Sequence, residues 1–130
     1  MLKLNILLTN KEDVMHFKLI IAFVDSAKTD KILSAAREHG ATGSTVISQA
    51  RGEGVHDKKT FLGLHIETQR DVLFLLVEQH NALKILETVN EVGAFDKESH
   101  EGIAFQIDVE DAVGVMHQIE ILSKNIEEEI

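Results

Sequence analysis

GATGSTVISQARGEGVHDKKTFLG, residues Gly40–Gly63, is the stretch on which the reading of the fold turns. Gly40 is a natural residue to follow the end of a helix, because it tolerates positive φ at no steric cost. Alternation around Thr45, Val46 and Ile47 predicts a strand over Gly43–Ala50. The RGEG turn, Arg51–Gly54, then breaks it. The polar connection after it, about residues 51–70, has neither helical nor strand periodicity. Phe61, Leu62, Leu64 and Ile66 suggest that its second arm returns as an extended ribbon. Long connections held out by a scaffold are where binding residues concentrate, so function is expected here.

Working outward, Phe17–Val24 (FKLIIAFV) reads as a strand with Phe17, Leu19, Ile21 and Phe23 on one face. Its other face, Lys18, Ile20, Ala22 and Val24, is also mostly apolar, so both faces require burial. Asp25 or Ser26 can cap a helix over about Ala27–His39. Val72–Val77 (VLFLLV) is a third strand, apolar on both sides. His80 or Asn81 can start a second helix, which Gly93 ends. Ala82, Ile85, Leu86, Val89 and Val92 form its apolar stripe. Residues 93–102 are a polar loop, and Ile103–Asp108 is a fourth strand. VEDAVG (Val109–Gly114) suits one helical turn. The tail from Met116 can form a helix whose closing glutamates oppose the dipole, so fraying is expected there.

The order βαββαβ is that of a ferredoxin-like α+β fold, a four-stranded antiparallel sheet with two helices on one face. The predicted organisation is an N-terminal extension (1–16, with a short strand around Leu2–Leu8), a domain over 17–115 and a C-terminal tail (116–130). The helix-free face would expose a large apolar patch, which predicts a homo-oligomer packed sheet against sheet. The alternative is that the extension or the tail covers it.

At 130 residues the chain is long enough for one domain, burying about two-thirds of its unfolded surface. It has no cysteine, which excludes disulfides, thiolate metal sites and a cysteine nucleophile and fits a reducing, cytoplasmic setting. No apolar run approaches the length of a membrane span, and no signal peptide is predicted. The formal net charge of −9 argues against generic nucleic-acid binding. Residues 51–70 escape this acidity: Arg51, Lys58, Lys59 and Arg70 outnumber Glu53, Asp57 and Glu67.

No nucleophile elbow, Walker loop or His-Glu-x-x-His helix is present, so no catalytic residue is assigned and the chain is read as a non-enzyme. The histidines at 16, 39, 56, 65, 80, 100 and 117 form no i, i+4 pair, and no metal site is assigned. Gly52 and Gly54 beside Arg51 can form an anion-binding nest, although such a sequence is more often just a flexible turn.

Three segments in order, ATGSTVISQARGEG, FLGLHIETQRDVLFLLVE and GIAFQIDVEDAVG, resemble the nitrogen regulatory protein P-II family, most closely its divergent P-II-like members. The resemblance spans about residues 17–115. It implies a cytoplasmic homotrimer that senses a small effector, an adenine nucleotide, in clefts between subunits. It also implies a protruding loop that signals to a protein partner such as a transporter or an enzyme. Carried over by position, it marks Thr45, Arg51, Gly52, Gly54, Glu101 and Gly102 as nucleotide-binding. His56, Lys58, Lys59 and Thr60 fall in the partner-binding loop.

The chain departs from that pattern where phosphate is held. The family's second loop reads T-G-x-x-G-D-G-K; here Glu101 replaces the aspartate and Ile103 the lysine. Two arginines expected after the fourth strand fall at about Gly114 and Met116. Losing three charge-assisted contacts would weaken ATP binding by about 10³-fold or more. The absence of tyrosine excludes tyrosine uridylylation. The same scaffold binding a small anion or a divalent metal, a ligand-free interaction module and a small ferredoxin-like enzyme remain alternatives.

Overall fold

The computed structural model describes residues 15–51, 59–61, 64–66, 69–97 and 102–129. The strand predicted near Leu2–Leu8 lies outside them. The elements run β1 (Phe17–Asp25), α1 (Thr29–Glu38), β2 (Ser44–Arg51), β3 (Lys59–Phe61), β4 (Leu64–Ile66), β5 (Gln69–Glu78), α2 (Gln79–Gly93), β6 (Gly102–Val109) and α3 (Met116–Glu129). The main sheet has the order β2-β5-β1-β6 with every neighbouring pair antiparallel. This is the expected ferredoxin-like arrangement. The two βα units interleave, so β1 and β5 occupy the centre and β2 and β6 the edges.

The two faces of β1 meet different partners. Ile20, Ala22 and Val24 join Leu73, Leu75 and Val77 of β5 under α1 and α2, which contribute Ile32, Leu33, Ala36, Ala82, Ile85 and Val89. On the opposite face Phe17 packs with Met15, Val115, Ile119 and Leu122, with Leu76 and Val109 alongside. The tail helix α3 therefore covers one end of the face that the sequence leaves open. The rest stays in solvent. Ile47, Phe23, Ile103, Phe105 and Ile107 are between 38% and 59% exposed. Phe23 and Phe105 lie with ring centroids 6.3 Å apart.

Local chemistry sets the boundaries. Asp25 Oδ1 accepts from Ala27 N at 2.9 Å, as a cap should, but it caps a single 3-10 turn, Ser26–Lys28. The helix proper thus starts at Thr29 rather than Ala27 and ends at Glu38 rather than His39. Gly40, at φ 105°, takes the predicted post-helical position. The second helix begins at Gln79, before His80 or Asn81. Glu78, 4% exposed, caps it by accepting from His80 N at 2.8 Å. Gly93 remains helical, and the left-handed residue is Ala94 at φ 55°. Gly93 is small for another reason: a Cβ there would lie 2.3 Å from the Phe95 ring.

Other boundaries move as well. β5 starts three residues before Val72, because Gln69–Asp71 continue the ladder against Arg51, Ala50 and Val24. The long connection is correspondingly shorter than 51–70. Within it, β3 and β4 form their own antiparallel pair with Thr60 opposite His65, rather than one returning ribbon. Val109 ends β6, and residues 110–115 form no helical turn. The tail forms the helix expected from Met116, running to Glu129.

Two predictions concern stability. Leu122, 4% exposed, anchors α3 to the sheet. Leu122→Ala should cost about 2–3 kcal/mol in urea unfolding. Ile121→Ala, at a side chain 49% exposed on the same helix, should stay within about 0.5 kcal/mol. Equal losses would contradict the placement of α3. The second concerns Lys18, which pairs with Asp108 across β1 and β6. The hydrogen bond and charge of Lys18 hold the Asp108 carboxyl below its ordinary value of 3.8. A carboxyl depressed in the folded state stabilises it above the unfolded value and loses that contribution as pH falls through the folded one. Melting temperatures of wild type and Asp108→Asn should therefore differ at neutral pH and converge well below pH 3.8. A gap that persists in acid would contradict the pairing.

Candidate functional site

The long connection leaves and re-enters the sheet through neighbouring strands, with Arg51 at the end of β2 opposite Gln69 at the start of β5. Just before it, the register of β2 shifts between Ile47 and Ala50, and Gln49 adopts φ 64°. This is a β-bulge, which bends the strand end and re-aims the chain as it enters the connection. Beneath the bulge lies a polar layer. Asp71, 7% exposed, accepts a 2.6 Å hydrogen bond from Thr29 Oγ1, and Thr29 is itself buried. Ser26 Oγ donates to Gln69 O at 3.3 Å. Arg70 is 8% exposed and sits between Asp25 and Ala50 in the ladder. A buried carboxylate persists only when hydrogen-bonded. The Thr29–Asp71 bond therefore fixes the head of α1 to the foot of the loop.

Sequence pattern alone makes Arg70 a loop charge and does not single out Thr29 or Asp71. The available signal was Gln69-Arg70-Asp71 running directly into an apolar strand. Polar residues that continue such a strand are candidates for a buried polar layer.

The predicted site residues fall in separate places. Thr45 lies in β2, exposed, opposite Phe74 on the open face. Gly102 opens β6, opposite Val24. β2 and β6 are the two edges of the sheet, three strand spacings apart, or roughly 14 Å. One small ligand cannot bridge Thr45 and Gly102 within a single chain. Arg51 ends β2, and Lys59 and Thr60 lie in β3; the side chains of these three are outside the described residues, as are Gly52, Gly54, His56, Lys58 and Glu101 altogether.

Gly102 is required by packing whatever it binds. Its φ is 148°, and a Cβ would stand 2.2 Å from the Phe23 carbonyl oxygen and 2.8 Å from the Phe95 ring. That close approach brings β6 against the turn after α2 and opens a cleft of about 290 Å³ beside it. Leu86, Glu87 and Asn90 of α2 form one wall. Phe95 and Asp96 form the end, and Gly102–Ala104 the other side. Sequence places Gly102 here but not the α2 residues, whose polar face looks like an ordinary solvated one. Among the described residues, no group of three or more His, Asp or Glu side chains could hold a metal ion. No described helix is long and apolar enough to cross a membrane.

Comparison with known proteins agrees with this frame. The family model for nitrogen regulatory protein P-II matches residues 17–118. No curated protein matches the chain in sequence. Among solved structures, the chain is similar to CPII, a nitrogen regulatory PII-like protein from Thiomonas intermedia K12 bound to ADP, AMP and bicarbonate. The TM-score is 0.57 and the identity 17%, over 72% of this chain and 90% of that one. It is also similar to a candidate PII-like signalling protein from Thermus thermophilus, with TM-score 0.54 and identity 26%, over 72% and 87% of the two chains. The split βαβ frame, the loop leaving β2 and the family match over most of the chain together make this a member of the nitrogen regulatory protein P-II family, of the P-II-like kind.

Proposed function

We propose that this P-II-like scaffold is a non-catalytic, cytoplasmic homotrimer that senses an adenine nucleotide between subunits and reports it to a protein partner through its loop. The observation that carries the reading is the position of Thr45 and Gly102 on opposite edges of one sheet. A neighbouring copy that brings its β2 edge to the β6 edge of the first would complete a cleft that one chain lacks. The exposed face around Phe23 and Phe105 supplies the apolar surface for that association. The bound ADP and AMP of the Thiomonas protein support an adenine ligand by analogy of fold.

In this reading Thr45, Arg51, Gly52, Gly54, Glu101 and Gly102 contact the ligand, and His56, Lys58, Lys59 and Thr60 contact the partner. The ligand acts by binding one arrangement of the loop more tightly than another, since only differential affinity shifts a population. The layer formed by Thr29 and Asp71 gives that loop a fixed foot. Ile103 in place of a phosphate-binding lysine favours ligands with fewer phosphates over ATP.

Calorimetric titration of the full chain with ATP, ADP, AMP and cyclic AMP, with and without Mg²⁺, tests the ligand. The expected result is micromolar binding of at least one of them, near one site per chain. Absence of binding by all four up to millimolar concentration contradicts the nucleotide reading and leaves a scaffold for a different ligand or for a partner alone.

A further inference from the structure

His80 and Glu78 form a pair that the nucleotide reading leaves unused. The Glu78 side chain is 5% exposed, at the point where β5 passes into α2. Its Oε2 accepts from His80 N at 2.8 Å, and its Oε1 lies 2.6 Å from His80 Nδ1. An ionised carboxylate can only accept hydrogen bonds, so Nδ1 carries the ring proton. In the neutral imidazole, Nε2 then holds the lone pair. With Nδ1 turned to Glu78 and the ring 77% exposed, Nε2 is presented to solvent.

Among the described residues, His80 is the one histidine whose ring nitrogen stands within hydrogen-bond distance of a carboxylate. His117 Nδ1 lies 3.9 Å from Glu120 Oε2, and both of those side chains are exposed. The His80 arrangement suits nucleophilic attack. Positive charge develops on an imidazole ring as Nε2 forms a bond, and a buried carboxylate at Nδ1–H offsets it. A metal ion is a poorer match, because no described group of three or more His, Asp or Glu side chains could hold one. The surroundings also tolerate an added anion. No acidic residue lies in the first turn of α2, where the helix dipole favours negative charge. Lys84 is exposed one turn further along the same face.

We propose that His80 is a phosphoryl-acceptor histidine, modified at Nε2 by a donor that carries its phosphoryl group on nitrogen. In this step the Nε2 lone pair attacks phosphorus and an Nε2–P bond forms. The donor's N–P bond breaks, and its nitrogen leaves with the electron pair. The Nδ1 proton stays in place, so the product is a phosphorylated imidazolium whose charge faces the Glu78 carboxylate. The ten residues of β5 put Glu78 roughly 30 Å from Gln69 at the foot of the loop. Gly102 pairs with Val24, at the end of β1 away from Phe17, which pairs with Glu78. The acceptor is therefore apart from the nucleotide-binding positions, and it does not rest on the adenine reading.

Phosphoramidate, a minimal donor of this class, is the probe. The full chain is incubated with it at neutral pH. Peptide mass spectrometry then locates the phosphoryl group, and ¹H–¹⁵N NMR identifies the ring nitrogen that carries it. The expected result is modification of His80 at Nε2, about tenfold faster than at His39 or His117. Glu78→Gln keeps an oxygen for the helix cap but loses the charge, and should slow the His80 reaction about tenfold with the circular dichroism spectrum unchanged. Equal rates at the three histidines, attachment at Nδ1, or an unchanged rate in folded Glu78→Gln each overturn the proposal. If Glu78→Gln does not fold, the ranking of histidines within the wild-type chain decides it.

Discussion

The structure depends on one constraint: β1 is a central strand that is apolar on both faces. Ile20, Ala22 and Val24 are fully buried beneath α1 and α2. Leu19, Ile21 and Phe23 point the other way and require cover of their own. A two-layer αβ domain satisfies only the first demand. The second can be met within the chain or by other chains, and this molecule divides it. α3 buries the Phe17 end, while the Phe23–Phe105 end stays exposed.

That division gives the C-terminal helix a definite place. The family match ends at residue 118, and the α3 residues that reach the sheet, Ile119 and Leu122, lie just beyond it. Most of α3 thus lies beyond the matched stretch, and the helix narrows the open face without closing it. It also separates the roles of the two ends of the sheet. One end is an intramolecular core. The other carries both the exposed apolar rows and, through β2 and β5, the feet of the loop.

Much of this was legible in the sequence, and the residues show why. The two-sided apolar runs Phe17–Val24 and Val72–Val77 mark central strands, and the stripe through Ile85 and Val89 marks a helix packed on them. These patterns depend on burial, which sequence periodicity reports directly. Boundaries were less legible because they rest on single side chains. Glu78 caps α2 from within a strand, and the Thr29–Asp71 bond lets β5 begin among polar residues. Periodicity assigns such residues to a loop. The site was least legible. Thr45 and Gly102 are both marked as nucleotide-binding by the resemblance yet occupy opposite edges of the sheet, a separation that no linear reading reveals. Gly102 also carries a packing requirement that sequence cannot distinguish from a binding one.

The central claim is that the remaining open face is covered by further copies of the same chain. Sedimentation velocity on wild type and on a Phe23→Asp/Phe105→Asp variant addresses it most directly. Charges placed in a buried interface oppose association, whereas at positions 38% exposed in a lone chain they should leave the fold intact. The account predicts wild type at three times the 14.5 kDa of one chain and a folded variant at the single-chain mass. A wild-type species of 14.5 kDa, or a variant that retains the trimer mass, would contradict it.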